Sequence, residues 1–183
     1  AVKRDGLSDL TAAINTVVEH LIPKMDDGIF RLPVDRIFTM KGFGTVVTGT
    51  LVSGSIQVGE EVQILPEGLV SRIRGIQVHN HPVEEAWMGQ RTAINLQGME
   101  KSNITRGDVL VRPQTVRPSQ RLDVFAEYLP ANLKKLKNRD LVRLHTGTSE
   151  VMARLILLDK DEIAPGEKAF AQLTLVSKTV TVG

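Results

Sequence analysis

Apolar positions along the chain repeat with one period near the N-terminus and with another everywhere after it. In "GLSDLTAAINTVVEHLIP", Leu7, Leu10, Ile14, Val17 and Leu21 recur every three or four residues, the spacing of one helix face. Ser8 is the predicted N-cap and Pro23 the stop. A single helix with one apolar face forms no core by itself, so this one needs a partner, in the chain or in a domain ahead of it. "KMDDG", from Lys24 to Gly28, reads as a short polar linker. From Phe30 onward the helical period gives way to short strand-like runs: "FRLPVDRIF", "TVVTGTLV", "EEVQILP", "SRIRGIQV", "QRTAINLQG" and "GDVLVRP". Turn signals separate them at Lys41–Gly44, Ser53–Gly54, Val58–Gly59, Glu67–Gly68 and Arg106–Gly107. Six short strands without an intervening helix predict a small barrel, which closes on itself and so removes its edges.

"RPQTVRP", from Arg112 to Pro118, carries two prolines and marks a second boundary. Beyond it come "RLDVFAEYL", "DLVRLHTG", "SEVMARLILL" and "KAFAQLTLV", again strands, with the acidic turn "DKDEIAPGE" before the last. Four or five strands are few for a closed barrel. The predicted fold class is therefore all-β apart from the first helix. Residues 1–24 hold the helix, 29–113 a β-barrel, and 114–183 a second barrel whose closure the pattern leaves open.

The glycine-rich stretch "KGFGTVVTGTLVSG" (Lys41 to Gly54) invites a phosphate-binding reading, and the residues reject it. Gly44 and Gly49 have the P-loop spacing, but Thr50 and Leu51 follow where a lysine and a hydroxyl residue are required. Gly42 and Gly44 open like a dinucleotide fingerprint, but its third glycine is replaced by Val47. The residues between are β-branched, stiff at χ1, and favour a pleated strand over a helix N-terminus.

Composition narrows the function classes. There is no cysteine, which removes disulfides, thiol nucleophiles and thiolate metal sites. Only 4% of residues are aromatic, too few for base stacking on exposed rings to be a main activity. The net charge of +2 is small, so a nucleic-acid contact would have to come from a local patch. No apolar run approaches the ~20 residues of a membrane span, and no signal-peptide pattern opens the chain. These features fit a cytoplasmic protein. Ala1 stands where an initiator methionine would, which suggests a start inside a longer protein.

Few residues offer chemistry. His79 and His81 are two apart, a spacing that on a strand could start a metal site, but no third ligand is suggested and "HNHP" reads as a loop. No nucleophile–base set declares itself, so neither a catalytic residue nor a metal site is assigned. In "VDRIF", Asp35 and Arg36 are adjacent charges in an apolar strand. Neighbours on a strand face opposite sides, so at least one should point to a surface or a pocket. Arg91 precedes a core-type strand in "GQRTAINL". A basic strip from Arg112 to Arg143, centred on "LKKLKNRD", could track a phosphate backbone or be a solvated hairpin tip.

The phrases "DRIFTMKGFGTVVTGTLVSG", "GQRTAINLQG", "RGDVL" and "LVRLHTGTSEVMARLILLD" resemble the selenocysteine-specific elongation factor family, within the translational GTPases that deliver aminoacyl-tRNA to the ribosome. The resemblance covers nearly the whole chain. "GTVVTG" is shared widely among elongation factors; the Asp-Arg pair and "GQR" are the discriminating parts. It implies that residues 1–24 resemble the end of a GTP-binding domain, and that the two barrels are domain 2 and part of domain 3. The P-loop, D-x-x-G and N-K-x-D motifs are absent from this sequence. GTP and magnesium would therefore be held by the rest of the GTP-binding domain, and these residues would neither bind nor hydrolyse GTP. The family's winged-helix region is absent too, and "LVSKTVTVG" ends before the strand with which members usually continue.

The resemblance further implies partners: selenocysteinyl-tRNA, the ribosome and the GTP-binding domain of the same protein. It carries the aminoacyl pocket onto Asp35, Arg36 and Arg91, the vicinity of the terminal adenosine onto Gln77, and the tRNA backbone onto Lys134, Lys135, Lys137 and Arg139. The chemistry agrees, because a selenol is more acidic than a thiol and is an anion at neutral pH, whereas arginine is always charged and offers a rigid fork of donors. Two alternatives remain at this point. One is a module that only docks a GTP-binding domain; the other is the same barrels from an ordinary elongation or initiation factor.

Overall fold

A computed structural model describes residues 5–21, 26–40, 42 and 44–176. The helix α1 spans Leu7–Glu19 and begins after Gly6, whose φ of 76° is left-handed. Ser8 therefore lies in the first turn rather than at the cap, and no side chain among the described residues caps the helix. Pro23, the predicted stop, lies outside the described residues. None of the helix is buried. Leu7, Leu10, Ile14 and Val17 remain 52–61% exposed, so the apolar face has no partner among the described residues.

The first β unit contains β1 (Arg31–Met40), β2 (Gly44–Thr50), β3 (Ser55–Gln57), β4 (Glu61–Leu65), β5 (Leu69–Val78), β6 (His81–Val83), β7 (Glu85–Trp87), β8 (Arg91–Leu96) and β9 (Val109–Val111). Six of these form a closed ring in the order β4-β9-β1-β2-β8-β5 and back to β4. Closure depends on two long strands that change partner midway. β1 pairs with β9 through Arg31–Pro33 and with β2 from Val34 onward. β5 pairs with β4 through Leu69–Arg72 and with β8 from Ile73 onward. Each change falls beside a bulge, between Val34 and Arg36 in β1 and between Ile73 and Gly75 in β5. A bulge bends its strand and strengthens the twist, which is what turns the corner. Phe30, Leu32, Val34, Val47, Ile64, Ile94 and Leu110 fill the ring and are fully buried.

"HNHP" is not an open loop. His79 and Asn80, with φ of 51° and 66°, form the two-residue turn between β5 and β6, closed by the Val78–His81 pair. Positive φ at both central positions matches the twist of a hairpin. His79 thus belongs to the turn and His81 to the next strand.

The second unit contains β10 (Arg121–Glu127), β11 (Leu136–Lys137), β12 (Leu141–Thr146), β13 (Ser149–Leu157), β14 (Glu162–Ile163) and β15 (Lys168–Leu175). Its main sheet runs β10-β15-β13-β12, and β11 pairs with β14. Leu136 and Ile163 from the small ribbon join Val151, Leu155, Leu157 and Leu173 in one core. Among the described residues the hydrogen-bond ladder does not close into a ring. The linker between the units is tied back to the first: Arg112 grips Glu60 with two hydrogen bonds of 2.9 and 3.3 Å, and the Gln114 amide donates to Gln63.

Candidate functional site

The bulge in β1 explains the adjacent charges of "VDRIF". Val34 pairs with Gly49 and Arg36 with Thr48, so Asp35 is an extra residue without an opposite number. Strict alternation would send Arg36 inward after Leu32 and Val34. The extra residue shifts the phase, Ile37 packs on the core instead, and Asp35 and Arg36 both stand on the outer face. Gly49 permits the close approach at this point. A Cβ there would lie 2.2 Å from the Pro33 carbonyl oxygen and 2.7 Å from Leu32 Cδ2.

On the outer face, Asp35 receives Thr48 Oγ1 at 2.8 Å and both terminal nitrogens of Arg91, Nη2 at 3.0 Å and Nη1 closer still. β2 lies between the two partners, since Thr48 pairs with Arg36 on one side and Ala93 on the other, and Thr50 with Arg91. Asp35 is 22% exposed and Arg91 47%. The hydrogen bond from Arg91 holds the Asp35 carboxyl below the usual range. Thr48 adds to the effect and partial burial opposes it, with a further contribution from the charge of Arg36. The same bond raises the Arg91 pKa. Among the described residues Arg36 forms no ion pair, so the three charges Asp35, Arg91 and Arg36 sum to a net positive site.

The pair borders a groove with two lobes along β2, β8 and β5. One lobe, about 160 Å³, is lined by Thr48, Gln77, His79, Asn80, Arg91 and Ala93. The other, about 260 Å³, is apolar and lies among Met40, Val46, Gly75, Gln77, Pro82 and Asn95. Gln77 and Ala93 are common to both. Asn95 Oδ1, buried in the wall of the apolar lobe, has no hydrogen-bond partner among the described residues. A buried acceptor left this way costs about 1–3 kcal/mol.

Of the residues singled out from sequence, Asp35, Arg36, Arg91 and Gln77 share this outer face. The four basic residues lie in the second unit, on and beside β11. There, Lys135 is paired with Glu162, which raises its pKa through that hydrogen bond. Lys134, Lys137 and Arg139 form no ion pair among the described residues. Elsewhere in the strip, Arg112 is engaged by Glu60 and Arg143 by Glu150. Thr48 and Asn95 were missed by sequence reasoning. Both sit in runs that read as core strands, and only the register shows that they face outward.

Residues 44–111, which hold five of the six ring strands, match the model of "Elongation factor Tu domain 2". The first barrel thus has the fold of this elongation-factor domain. The chain is 46% identical over 168 residues to a selenocysteine-specific elongation factor of Desulfomicrobium baculatum, covering 92% of this chain and 26% of that protein. It is 34% identical over 151 residues to the one from Haemophilus influenzae, covering 81% and 23%. The crystal structure of the bacterial selenocysteine-specific elongation factor EF-Sec superposes with a TM-score of 0.81 and 25% identity, over 99% of this chain and 28% of that one. Over nearly its whole length the chain is similar to part of the selenocysteine-specific elongation factors. It spans about a quarter of the length of these curated relatives.

Proposed function

We propose that the outer groove of the first barrel holds the aminoacyl end of selenocysteinyl-tRNA as the factor delivers it to the ribosome. The observation that carries this reading is the Asp35–Arg91 pair, bordering the groove, with Arg36, which forms no ion pair among the described residues, on the same face. The aminoacyl group lies in the lobe lined by Arg91. The terminal adenosine enters the apolar lobe, where Gln77 forms the shared wall and Asn95 offers its unsatisfied acceptor to an amino group.

Asp35 fixes the plane of the Arg91 guanidinium by accepting from two of its five N–H donors, leaving others for a ligand. Because Asp35 stays ionised at neutral pH and neutralises only one arginine, the site keeps a positive charge that an anion can balance. A selenolate supplies that anion and a serine hydroxyl does not. Hydrogen bonds to charged groups contribute about 1.5–3 kcal/mol each, so two arginines favour the selenolate by roughly a hundredfold or more.

In this reading residues 1–24 end a GTP-binding domain, 29–113 are the second domain and 114–183 lie in the third. GTP and magnesium belong to the GTP-binding domain, which also covers the exposed apolar face of α1. Lys134, Lys137 and Arg139, with Lys135 beside them, follow the tRNA backbone.

The test is Arg91→Ala in the full-length factor. Affinity for selenocysteinyl-tRNA falls about tenfold or more while the weaker binding of seryl-tRNA scarcely changes. Equal losses for both tRNAs would assign Arg91 to the shared tRNA end and remove the selenolate argument.

A further inference from the structure

The turn between β12 and β13 reaches across to the first barrel at the base of the Asp35 bulge. Thr146 pairs with Ser149, so Gly147 and Thr148 form a two-residue turn, and three successive residues from Gly147 meet the barrel. Gly147 lies so close to Pro33 that a Cβ would stand 3.1 Å from the proline ring. Thr148 Oγ1 donates to the Val34 carbonyl at 2.6 Å. Ser149 packs on Gly107, where a Cβ would stand 3.1 Å from the Ser149 Cα.

The Val34 carbonyl belongs to the peptide unit that enters the bulge, one bond before Asp35. Three groups set that peptide and its neighbour. The Gly107 amide donates to the Val34 carbonyl at 3.1 Å, the Val34 amide donates to the Asp108 carbonyl at 2.8 Å, and Thr148 supplies the third bond from the other unit. The Gly107 loop is itself braced, since the buried Asp108 accepts from the Thr105 amide and hydroxyl. A bulge has no partner residue of its own to define its orientation. Its aim is decided by whatever holds the flanking peptides.

We infer that Thr148 of the second unit is a positioning residue for the first: its hydroxyl bond to Val34 aims the Asp35 carboxylate at Arg91. The two units are then coupled through the site, and a displacement of the second would release the clamp on Arg91. The geometric part stands by itself. Its consequence for tRNA choice rests on the function proposed above.

A pair of substitutions separates the hydroxyl from packing. Thr148→Val keeps the shape and removes the donor; Thr148→Ser keeps the donor and removes a methyl group. The first measurement is the titration of the Asp35 carboxyl by carbon NMR in this chain, where the facing groups are Arg91, Thr48 and Arg36. With Thr148→Val the titration moves up toward the ordinary aspartate range, and with Thr148→Ser it stays at the parent value. No movement in either variant, or equal movement in both, would overturn the inference.

The second measurement is the preference for selenocysteinyl- over seryl-tRNA in the full-length factor. It drops about five- to tenfold with Thr148→Val and is retained with Thr148→Ser. A shifted Asp35 titration with an unchanged preference, where Arg91→Ala also leaves the preference unchanged, would overturn the proposed function and leave the positioning role intact. An unchanged preference where Arg91→Ala does abolish it would overturn the extension of that role to tRNA choice.

Discussion

Asp35 and Arg91, 56 residues apart in sequence, meet in a two-pronged ion pair on the outside of the barrel. β2 runs between them and contributes Thr48 to the same carboxylate. The pair joins two strands that share no hydrogen bond with each other, so it depends on the register of both with β2. That dependence makes it a sensitive reporter of the barrel as well as a feature of the groove.

The pair should be visible in the pH dependence of stability. The folded Asp35 pKa lies below its unfolded value, chiefly through the bond from Arg91. Its contribution is therefore fully present above an unfolded value of about 3.9 and is lost as pH falls through the folded pKa. The difference in urea midpoint between the protein and Asp35→Asn should be greatest near neutral pH and should close in acid. A difference that stays constant down to pH ~2 would mean the carboxylate charge plays no part.

Two glycines of the first barrel should respond differently to alanine. Gly49→Ala drives a Cβ into the Pro33 carbonyl and the Leu32 side chain, and overpacking of that kind costs about 1–3 kcal/mol. Gly75, at the bulge of β5, has nothing among the described residues within 4 Å of such a Cβ and lines the apolar lobe. Gly75→Ala should leave stability within about 0.5 kcal/mol and yet weaken tRNA binding. Undiminished binding would show that the lobe is not occupied.

The basic residues of the second unit should differ among themselves. Each phosphate neutralised contributes about 0.9 to the slope of log affinity against log salt for duplex nucleic acid. Lys137→Ala with Arg139→Ala should flatten the slope for tRNA by up to about two. Lys135 is already engaged by Glu162, so Lys135→Ala should flatten it by less than Lys137→Ala does. Identical slopes throughout would leave the strip as solvated surface.

The glycines of "KGFGTVVTGTLVSG" should not answer to nucleotide. Gly44 and Gly49 lie at the start and near the end of β2, a strand rather than the loop and helix N-terminus that cradle phosphate. Millimolar GTP should leave the melting temperature of these 183 residues unchanged. A ligand at a hundred times its Kd would add about 2.7 kcal/mol of stability, so a real site would be seen.

The longer strands and most of their turns were legible in the sequence because both are local, whereas the two- and three-residue strands β3, β6, β7, β11 and β14 are too short to show a period. Period-two alternation and glycine at positive φ declare themselves within a few residues, and the run "SEVMARLILL" and the strand Ser149–Leu157 differ by one residue. The helix was legible for the same reason. Its cap was misplaced because Gly6, by adopting a left-handed φ, takes the role expected of Ser8. The likeness to selenocysteine-specific elongation factors was also readable, from word-like phrases that no single physical rule predicts.

The site was only half legible. Asp35 and Arg36 could be noticed as two charges side by side in an apolar strand, but alternation requires one of them to face inward. Both face out because β1 carries one residue more than β2 between two paired positions. That excess is a property of two strands and is invisible in either. Closure of the barrel, the meeting of Asp35 with Arg91 and the reach of Thr148 to Val34, 114 residues away, are likewise decided by long-range pairing. Sequence periodicity sets which residues can face a core. Which strand lies beside which, and therefore which polar groups share a face, is settled only when distant backbone groups find their hydrogen-bond partners.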